Sequence, residues 1–575
     1  MMKLFRNLKP FALSIAVVLA LVAAQAIAEL SLPTLMSDIV DTGIVKGDTV
    51  YILRVGARML LVALGGVLCS IAASWLSARV GMGFGRDLRR KVFTRVERFS
   101  LSEFDRFGTP SLVTRTTNDI TQVQMFTMMS MRMMVMSPIM AAGGVIMALR
   151  QDAKLTWVLA AVIPVIAGVV AITANRALPL FRAVQAKIDR INLVLREGLS
   201  GVRVIRAFNR VDHERARFDA ANLDLTDTSI KVNKLMALMM PIMMLLMNLT
   251  TIAIVWFGAK RIELGEMHVG SLMAFIQYAM QILFSLLMLS FLFIMLPRAS
   301  ASSGRINEVL AMEPTINDPA EARKAEREHG HIEFRNVTFR YPGAEEPVLR
   351  GICFEAKPGE VTAIIGGTGA GKSTLVNLIP RFYDPEEGAI LVDGVDIRRM
   401  VQEDLRRRLG FVPQRAVLFN DTVAANIRFG KEDASDEEVA RAAETAQALE
   451  FILAMPQGFQ SVIAQGGTNL SGGQKQRLAI ARALVRDPEI YVFDDTFSAL
   501  DFKTDAALRA ALRRQTAEST VIIVAQRVNT VMDADRIIVL DDGRVAGMGR
   551  HRELAGGCQI YREIVSSQLS EEELA

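Results

Sequence analysis

Six apolar runs, each long enough to cross a bilayer at roughly 20 residues per span, fill the first half of this 575-residue chain, at about 11–36, 51–78, 125–149, 155–174, 235–258 and 270–297. A water-soluble core has no place for six such runs, so residues 1–310 are read as an all-α membrane domain. The basic residues orient it. Arg79, Arg86, Arg89, Arg90, Lys91, Arg95 and Arg98 lie between the second and third runs, and Arg176, Arg182, Lys187, Arg190, Arg196, Arg203 and Arg206 between the fourth and fifth. Both long connections are therefore placed in the cytoplasm, as are Lys3, Arg6 and Lys9 and, after six crossings, the C-terminal half. Within them Val184, Ile188, Ile191 and Leu195 recur at helical spacing, which predicts helices that leave the bilayer and continue into the cytosol.

A basic start, an apolar stretch and Ala24-Gln25-Ala26 also fit a cleaved signal peptide. The apolar run continues through Leu30, Leu32 and Leu35, however, and its removal would leave five crossings with the two ends on opposite sides. Hydrophobic residues make up 51% of the chain and charged residues 22%, which excludes a disordered or fibrous protein. The 66 Lys+Arg against 61 Asp+Glu leave +5, too small an excess to argue for nucleic acid as a partner. Cys69, Cys353 and Cys558 are scattered, with neither a disulfide framework nor metal-ligand spacing. A charged stretch, Glu321 to Glu328, marks a linker at 311–330, and residues 331–575 read as a mixture of short strands and helices.

That soluble half carries the chemistry. Gly366, Gly367, Thr368, Gly369, Ala370, Gly371, Lys372 and Ser373 fit G-x-x-x-x-G-K-[ST] between a strand-like run, Val361 to Ile365, and a helical pattern from Thr374 to Ile379. This is the context of a phosphate-binding loop. The glycines turn backbone N–H groups toward phosphate oxygens, Lys372 reaches the β/γ-phosphates of a nucleotide, and Ser373 ligates Mg²⁺. A second apolar strand, Ile490 to Phe493, delivers Asp494 and Asp495, the carboxylates that such a metal requires.

Between these elements stands Leu470-Ser471-Gly472-Gly473-Gln474, and with it the chain resembles an exporter-type ATP-binding cassette (ABC) half-transporter over essentially its whole length. The implied fold is a six-helix transmembrane domain with long cytoplasmic extensions fused to an α/β P-loop nucleotide-binding domain. The resemblance implies that Tyr341 stacks on adenine, that Thr374 belongs to the nucleotide pocket, and that Gln414 and Asp494 join Ser373 around Mg²⁺. It also implies that Ser471, Gly472, Gly473 and Gln474 contact the ATP of a second chain, and that Asp501 ends the loop after the second carboxylate. Segments Phe104 to Asn118 and Arg203 to Phe218 are similar to the family's two coupling elements.

Three positions depart from the family pattern. Active members carry Glu after the metal-binding Asp and a switch His in Val-Ala-His-Arg; here the residues are Asp495 and Gln526, and Gln465 stands where many relatives have Glu. Asp is one methylene short, and an ångström of misplacement of a water-positioning group costs on the order of 10²-fold. Gln carries neither proton nor charge. The pattern resembles the degenerate-site subunit of a bacterial heterodimeric multidrug exporter, hydrolysing slowly at its own site while its signature completes a partner that has the Glu and the His. The alternatives are a homodimer in which Asp495 still works, an exporter of a dedicated lipid, peptide or siderophore, and an ATP-gated channel or sensor. Six spans exclude a soluble P-loop ATPase.

The membrane half says less about cargo. Eight methionines lie between Met125 and Met140 and six between Met236 and Met247; flexible thioethers suit a cavity for varied apolar shapes as well as ordinary helix packing. Glu29 and Arg132 are charged inside apolar runs, where such groups face a bundle interior, water or the interface. Arg132, Phe275, Tyr278, Phe284, Phe291 and Phe293 are the candidate cavity residues for a hydrophobic small-molecule substrate, with membrane lipid as a further partner.

Overall fold

A computed structural model describes residues 2–325 and 329–568, apart from the side chains of Met2 and residues 290–294. Residues 326–328 of the expected linker lie outside the described residues. The chain divides into two units, one built on the chain up to Val96 with Pro110–Ala311, the other on Glu97–Thr109 with the chain from Met312 onward.

In hydrocarbon every backbone N–H and C=O must be satisfied within its own segment, so the apolar runs become helices: α1 (Ala12–Asp38), α2 (Thr49–Glu97), α4 (Ile120–Gln151), α5 (Thr156–Ser200), α7 (Val211–Glu263) and α8 (Val269–Ala311). Two short helices, α3 (Leu101–Phe107) and α6 (Val202–Ala207), occupy the two basic connections. Helices α2, α5 and α7 contain 49, 45 and 53 residues. At 1.5 Å per residue they reach about 75, 68 and 80 Å, more than twice the roughly 30 Å of hydrocarbon, so each continues well beyond the bilayer.

Helix α8 lies against α4 and α1 around a core of Ala26, Leu30, Met140, Phe275, Tyr278 and Ile282. Glycines permit the approach: a methyl group at Gly143 would collide with Leu30 of α1, and one at Gly144 would sit 2.6 Å from Ile282 of α8. Tyr278, fully buried, donates to the Leu30 carbonyl at 2.8 Å. Helices α5 and α7 pair chiefly with each other. The start of α5 and the end of α7 are joined by Asp152, whose Oδ1 accepts from the Leu155 amide at 2.8 Å and whose Oδ2 accepts from Arg261 Nε at 2.5 Å. At the other turn of the bundle, Asp41 accepts from the amides of Gly270 and Ser271, at 2.6 and 3.1 Å, placing a carboxylate at the N-terminus of α8.

In the second unit, strands β1 (Ile332–Phe339), β2 (Leu349–Ala356), β4 (Glu387–Val392) and β5 (Val395–Asp396) form an antiparallel sheet ordered β2-β1-β4-β5. A six-stranded sheet runs β10-β9-β3-β8-β7-β6, from β3 (Val361–Gly366), β6 (Leu409–Val412), β7 (Ile490–Asp494), β8 (Thr520–Val524), β9 (Arg536–Asp541) and β10 (Arg544–Gly549). Only the β9–β10 pair is antiparallel. The parallel strands read as continuous apolar runs because helices cover them: Ile523 and Phe493 face one core, with α10 (Gly472–Leu484) and α11 (Phe502–Gln515), and Ile522 and Val492 face the other, with α9 (Lys372–Leu378).

The segment Glu97–Thr109, expected within the membrane domain, belongs to this unit. Ser100 and Glu103 cap α3 reciprocally, Glu103 accepts from Thr315 Oγ1 at 2.8 Å, and the Tyr383 hydroxyl donates to Asp105 at 3.2 Å. Burial opposes ionisation of Glu103, yet hydrogen bonds from Ser100, Thr315 and Ser102 hold it below the usual carboxylate range. Burial, with Asp105 beside it, pushes the Tyr383 hydroxyl up.

Asp152→Ala removes the carboxylate that both accepts from the Leu155 amide just before α5 and pairs with Arg261. It is expected to cost about 1–3 kcal/mol and to lower the midpoint of a tryptophan-fluorescence melt in detergent. An unchanged midpoint contradicts this account of the α5–α7 pair.

Candidate nucleotide site

Strands β3, β8 and β7 lie side by side and parallel, with Ile364 and Asp494 both in register with Val524. The loops after their C-terminal ends are thereby gathered at one edge of the sheet, where ligands bind in open α/β folds. The sequence places the phosphate loop, Gln526, and Asp494 with Asp495 at those three ends.

The loop itself is shaped by two glycines. A Cβ at Gly366 would collide with the Leu540 carbonyl, and Gly371, at φ +95°, lies in the left-handed region with Leu349 Cδ2 2.8 Å from where its Cβ would be. The Lys372 ammonium donates to the carbonyls of Gly366 and Gly367 at 2.7 Å each, and Ala370, buried, donates its amide back to Gly367 at 3.3 Å. Ser373 Oγ donates to Asp494 Oδ1 at 2.9 Å. Thr374 shares a 3.0 Å hydrogen bond with the hydroxyl of Tyr341, whose ring packs edge-on against Phe339 and Tyr383. Gly367, Thr368 and Gly369 occupy the exposed crown of the loop.

Asp494 and Asp495 are both buried. Burial, and then their mutual repulsion, raises Asp494 above the usual carboxylate range, against the pull of Ser373 and Lys372. Burial raises Asp495 too, against hydrogen bonds from Gln414, Ser498 and Gln526. Lys372 is moved the other way, down, because burial outweighs the two carboxylates near it. The backbone of Asp495 is left-handed, at φ +44°. Its Oδ2 accepts two side-chain amides, Gln526 Nε2 at 2.7 Å and Gln414 Nε2 at 3.2 Å. The two departures from the family pattern are therefore bonded to each other.

Sequence reasoning missed the supports of this arrangement. Gln476, buried in α10, donates to the Gln414 carbonyl at 2.9 Å, which ties the helix after the signature to the Gln414 loop. Gln568, just beyond α12 (Gln559–Ser566), donates to the Gln526 carbonyl at 2.8 Å and accepts from the Val528 amide at 2.9 Å. Neither position has a signal in sequence, because a glutamine far along the chain carries no spacing rule.

Ser471 and Gln474 cap α10 reciprocally; Ser471 and Gly472 are exposed, Gly473 and Gln474 half-buried. Asp501 caps α11 through the Thr504 amide at 2.9 Å, and Ser498 Oγ bonds the Asp495 carbonyl at 2.9 Å. Gln465 is exposed. Among the described residues no group of three or more His, Cys, Asp or Glu side chains could hold a metal by itself.

In the membrane unit Arg132 and Phe284 line two adjoining cavities, Arg132 also donating to Ser74 Oγ at 2.8 Å. Phe275 and Tyr278 are instead fully buried in the helix core, so the structure places them in packing rather than at a cavity wall. The side chains of Phe291 and Phe293 lie outside the described residues.

A phosphate loop, a buried carboxylate strand and a signature helix in one domain, joined in one chain to six membrane-length helices, define an ABC transporter half. Comparison with known proteins agrees. Residues 15–286 match the ABC transporter transmembrane region and residues 349–498 the ABC transporter domain. An uncharacterized ABC transporter ATP-binding protein of Mycobacterium tuberculosis is 45% identical over 98% of this chain and 97% of its own length. An ATP-dependent lipid A-core flippase of Chromobacterium violaceum is 32% identical over 96% of this chain and 94% of its own. The solved structure of a bacterial Atm1-family ABC exporter with ATP bound superposes with a TM-score of 0.81 at 28% identity, covering 98% of this chain and 99% of that one. The chain belongs to the ABC transporter family: it is a multi-pass membrane exporter half whose second domain binds ATP and is an ATPase coupled to transport.

Gly366→Ala, with backbone in the way of its methyl, is expected to weaken binding of a fluorescent ATP analogue by at least about tenfold, or 1.4 kcal/mol. Gly367→Ala, with nothing within 4 Å of its Cβ, is expected to stay within about twofold. Equal affinities for the two variants contradict the steric reading of the loop.

Proposed function

We propose that this chain exports hydrophobic or amphipathic compounds across a bacterial inner membrane as one subunit of a heterodimer, with its nucleotide-binding unit in the cytoplasm. The observation that carries the reading is the Asp495 carboxylate, held by the amides of Gln414 and Gln526. A group that positions an attacking water needs a free acceptor lone pair aimed at that water. Here one oxygen is shared by two amide donors, and the residue opposite can neither take up a proton nor place positive charge on a γ-phosphate. This supports tight ATP binding with slow hydrolysis at this chain's own phosphate loop.

Mg²⁺ fits the same residues. Ser373 Oγ and Asp494 Oδ1 lie 2.9 Å apart, about the edge of an octahedron with ligands at roughly 2.1 Å. A dication there would offset two buried carboxylates that have one buried lysine near them, and Gln414 supplies a third oxygen. Ser471 and Gly472, exposed at the start of α10, are left free for the γ-phosphate bound by a partner that has the Glu and the His. Around α6 the apolar side chains of Leu199, Val204 and Phe208 are 75, 60 and 75% exposed, which supports docking of this element on a second subunit. The lipid A-core flippases among the relatives favour a lipid as a second reading of the cargo, and a cargo-stimulated ATPase panel separates the two.

The test is the purified chain alone in nanodiscs, beside Asp495→Glu/Gln526→His. The native chain is expected to turn over at background and the double variant at least about tenfold faster. A native chain that dimerises with itself and hydrolyses at the roughly 10 s⁻¹ of a median enzyme overturns the heterodimer reading.

A further inference from the structure

Two adjoining cavities lie inside the membrane unit and share Met136, Ser137 and Met288. One, of about 250 Å³, contains Arg132 with Gln25 and Met129. The other, of about 370 Å³, falls within the roughly 300–1,000 Å³ of ordinary small-molecule sites, and its walls are chemically one-sided. Among the described residues Glu29 is the sole ionisable one in these walls, with no Lys, Arg or His beside it. Four of its residues, Gln281, Phe284, Ser285 and Met288, form one stripe of α8 at i, i+3, i+4 and i+7, facing Glu29 of α1 and Met136 and Met140 of α4.

The side-chain amide donors at and beside this cavity are already spent. Gln25 Nε2 is spent on Glu29 Oε1 at 2.9 Å, and Gln281 Nε2 on the Glu29 carbonyl at 3.3 Å. That leaves Gln281 Oε1 buried without a donor at this cavity, and Gln25 Oε1, of a residue only 8% exposed, likewise without one at the neighbouring cavity that Arg132 lines. Ser285 spends its proton on the Ile282 carbonyl. Unpaired buried acceptors beside a carboxylate cost free energy until something supplies positive charge or N–H groups. The methionine thioethers and the face of Phe284 add polarisable and π-electron surface that attracts a cation further.

We propose that this cavity is a binding site for hydrophobic organic cations, the charged centre seated between Glu29 and the Gln281 oxygen and the apolar body lying on the methionines and Phe284. The proposal rests on the export reading for its purpose, but the site is defined by binding alone. Arg132 lines the neighbouring cavity and takes no part in cation binding.

The test uses the full chain in neutral phosphatidylcholine nanodiscs without nucleotide, and two probes of the same shape and opposite charge, tetraphenylphosphonium and tetraphenylborate, with displaceable binding measured for each. The native chain is expected to bind the phosphonium at least about tenfold more tightly than the borate. Glu29→Gln, which preserves an oxygen for Gln25, is expected to abolish that preference, Glu29→Asp to keep part of it, and Arg132→Gln to leave phosphonium binding within about twofold. Phe284→Ala, on a side chain more than half exposed in this chain, supplies a variant with little folding risk and is expected to weaken the phosphonium severalfold. Equal affinity for the two ions, preference for the borate, no displaceable binding of either, or an unaltered preference in Glu29→Gln overturns the assignment. Phosphonium binding without ATP-driven transport by the assembled pair would instead sink the export reading and leave the cation site standing.

Discussion

The chemistry of this chain depends on one adjacency, three parallel strands lying side by side in the order β3, β8, β7. Asp494 lies 121 residues beyond Ser373 of the phosphate loop, but the parallel register brings Gly366, Val524 and Asp494 to one edge within a few residues of each other. From that edge the loop, Gln526 and both carboxylates extend. The strands are apolar on both faces because both are covered, and this lets the edge carry buried carboxylates and a buried lysine in so small a space.

Within that edge the central feature is the pairing of Asp495 with Gln526, the amide of one donating to the carboxylate of the other at 2.7 Å. Gln568 bonds the backbone on either side of Arg527, at the Gln526 carbonyl and the Val528 amide, so the loop after Gln526 is held as well. A site that merely decayed would leave a buried carboxylate short of donors; here it has two.

Much of the fold was legible in the sequence because hydrocarbon and phosphate leave few options. Bilayer thickness dictates six apolar helices, and phosphate geometry dictates glycines at Gly366 and Gly371 with Lys372 and Ser373 after them. What stayed hidden joins residues far apart in sequence: Gln476 to Gln414, 62 residues away, and Tyr383 to Asp105, 278 away. That last contact explains why Glu97–Thr109 belongs with the nucleotide unit although its sequence continues the membrane helices. The cavity residues were half legible. Phe275 and Phe284 are nine residues apart, which at about 100° per residue places them on opposite faces of α8, so one fills the core and the other lines a cavity. Hydrophobic composition could not rank them, and helical phase becomes informative only once the neighbours of α8 are known.

The most direct test of the degenerate-site account follows the phosphate itself. The complete transporter would be incubated with Mg²⁺ and a photoreactive ATP labelled at either the α- or the γ-phosphorus, irradiated, and this chain isolated. The account predicts that both labels stay with this chain through many turnovers of the complex, because the nucleotide at its phosphate loop remains a triphosphate. Retention of the α label with loss of the γ label would show that this site hydrolyses, and would contradict the account.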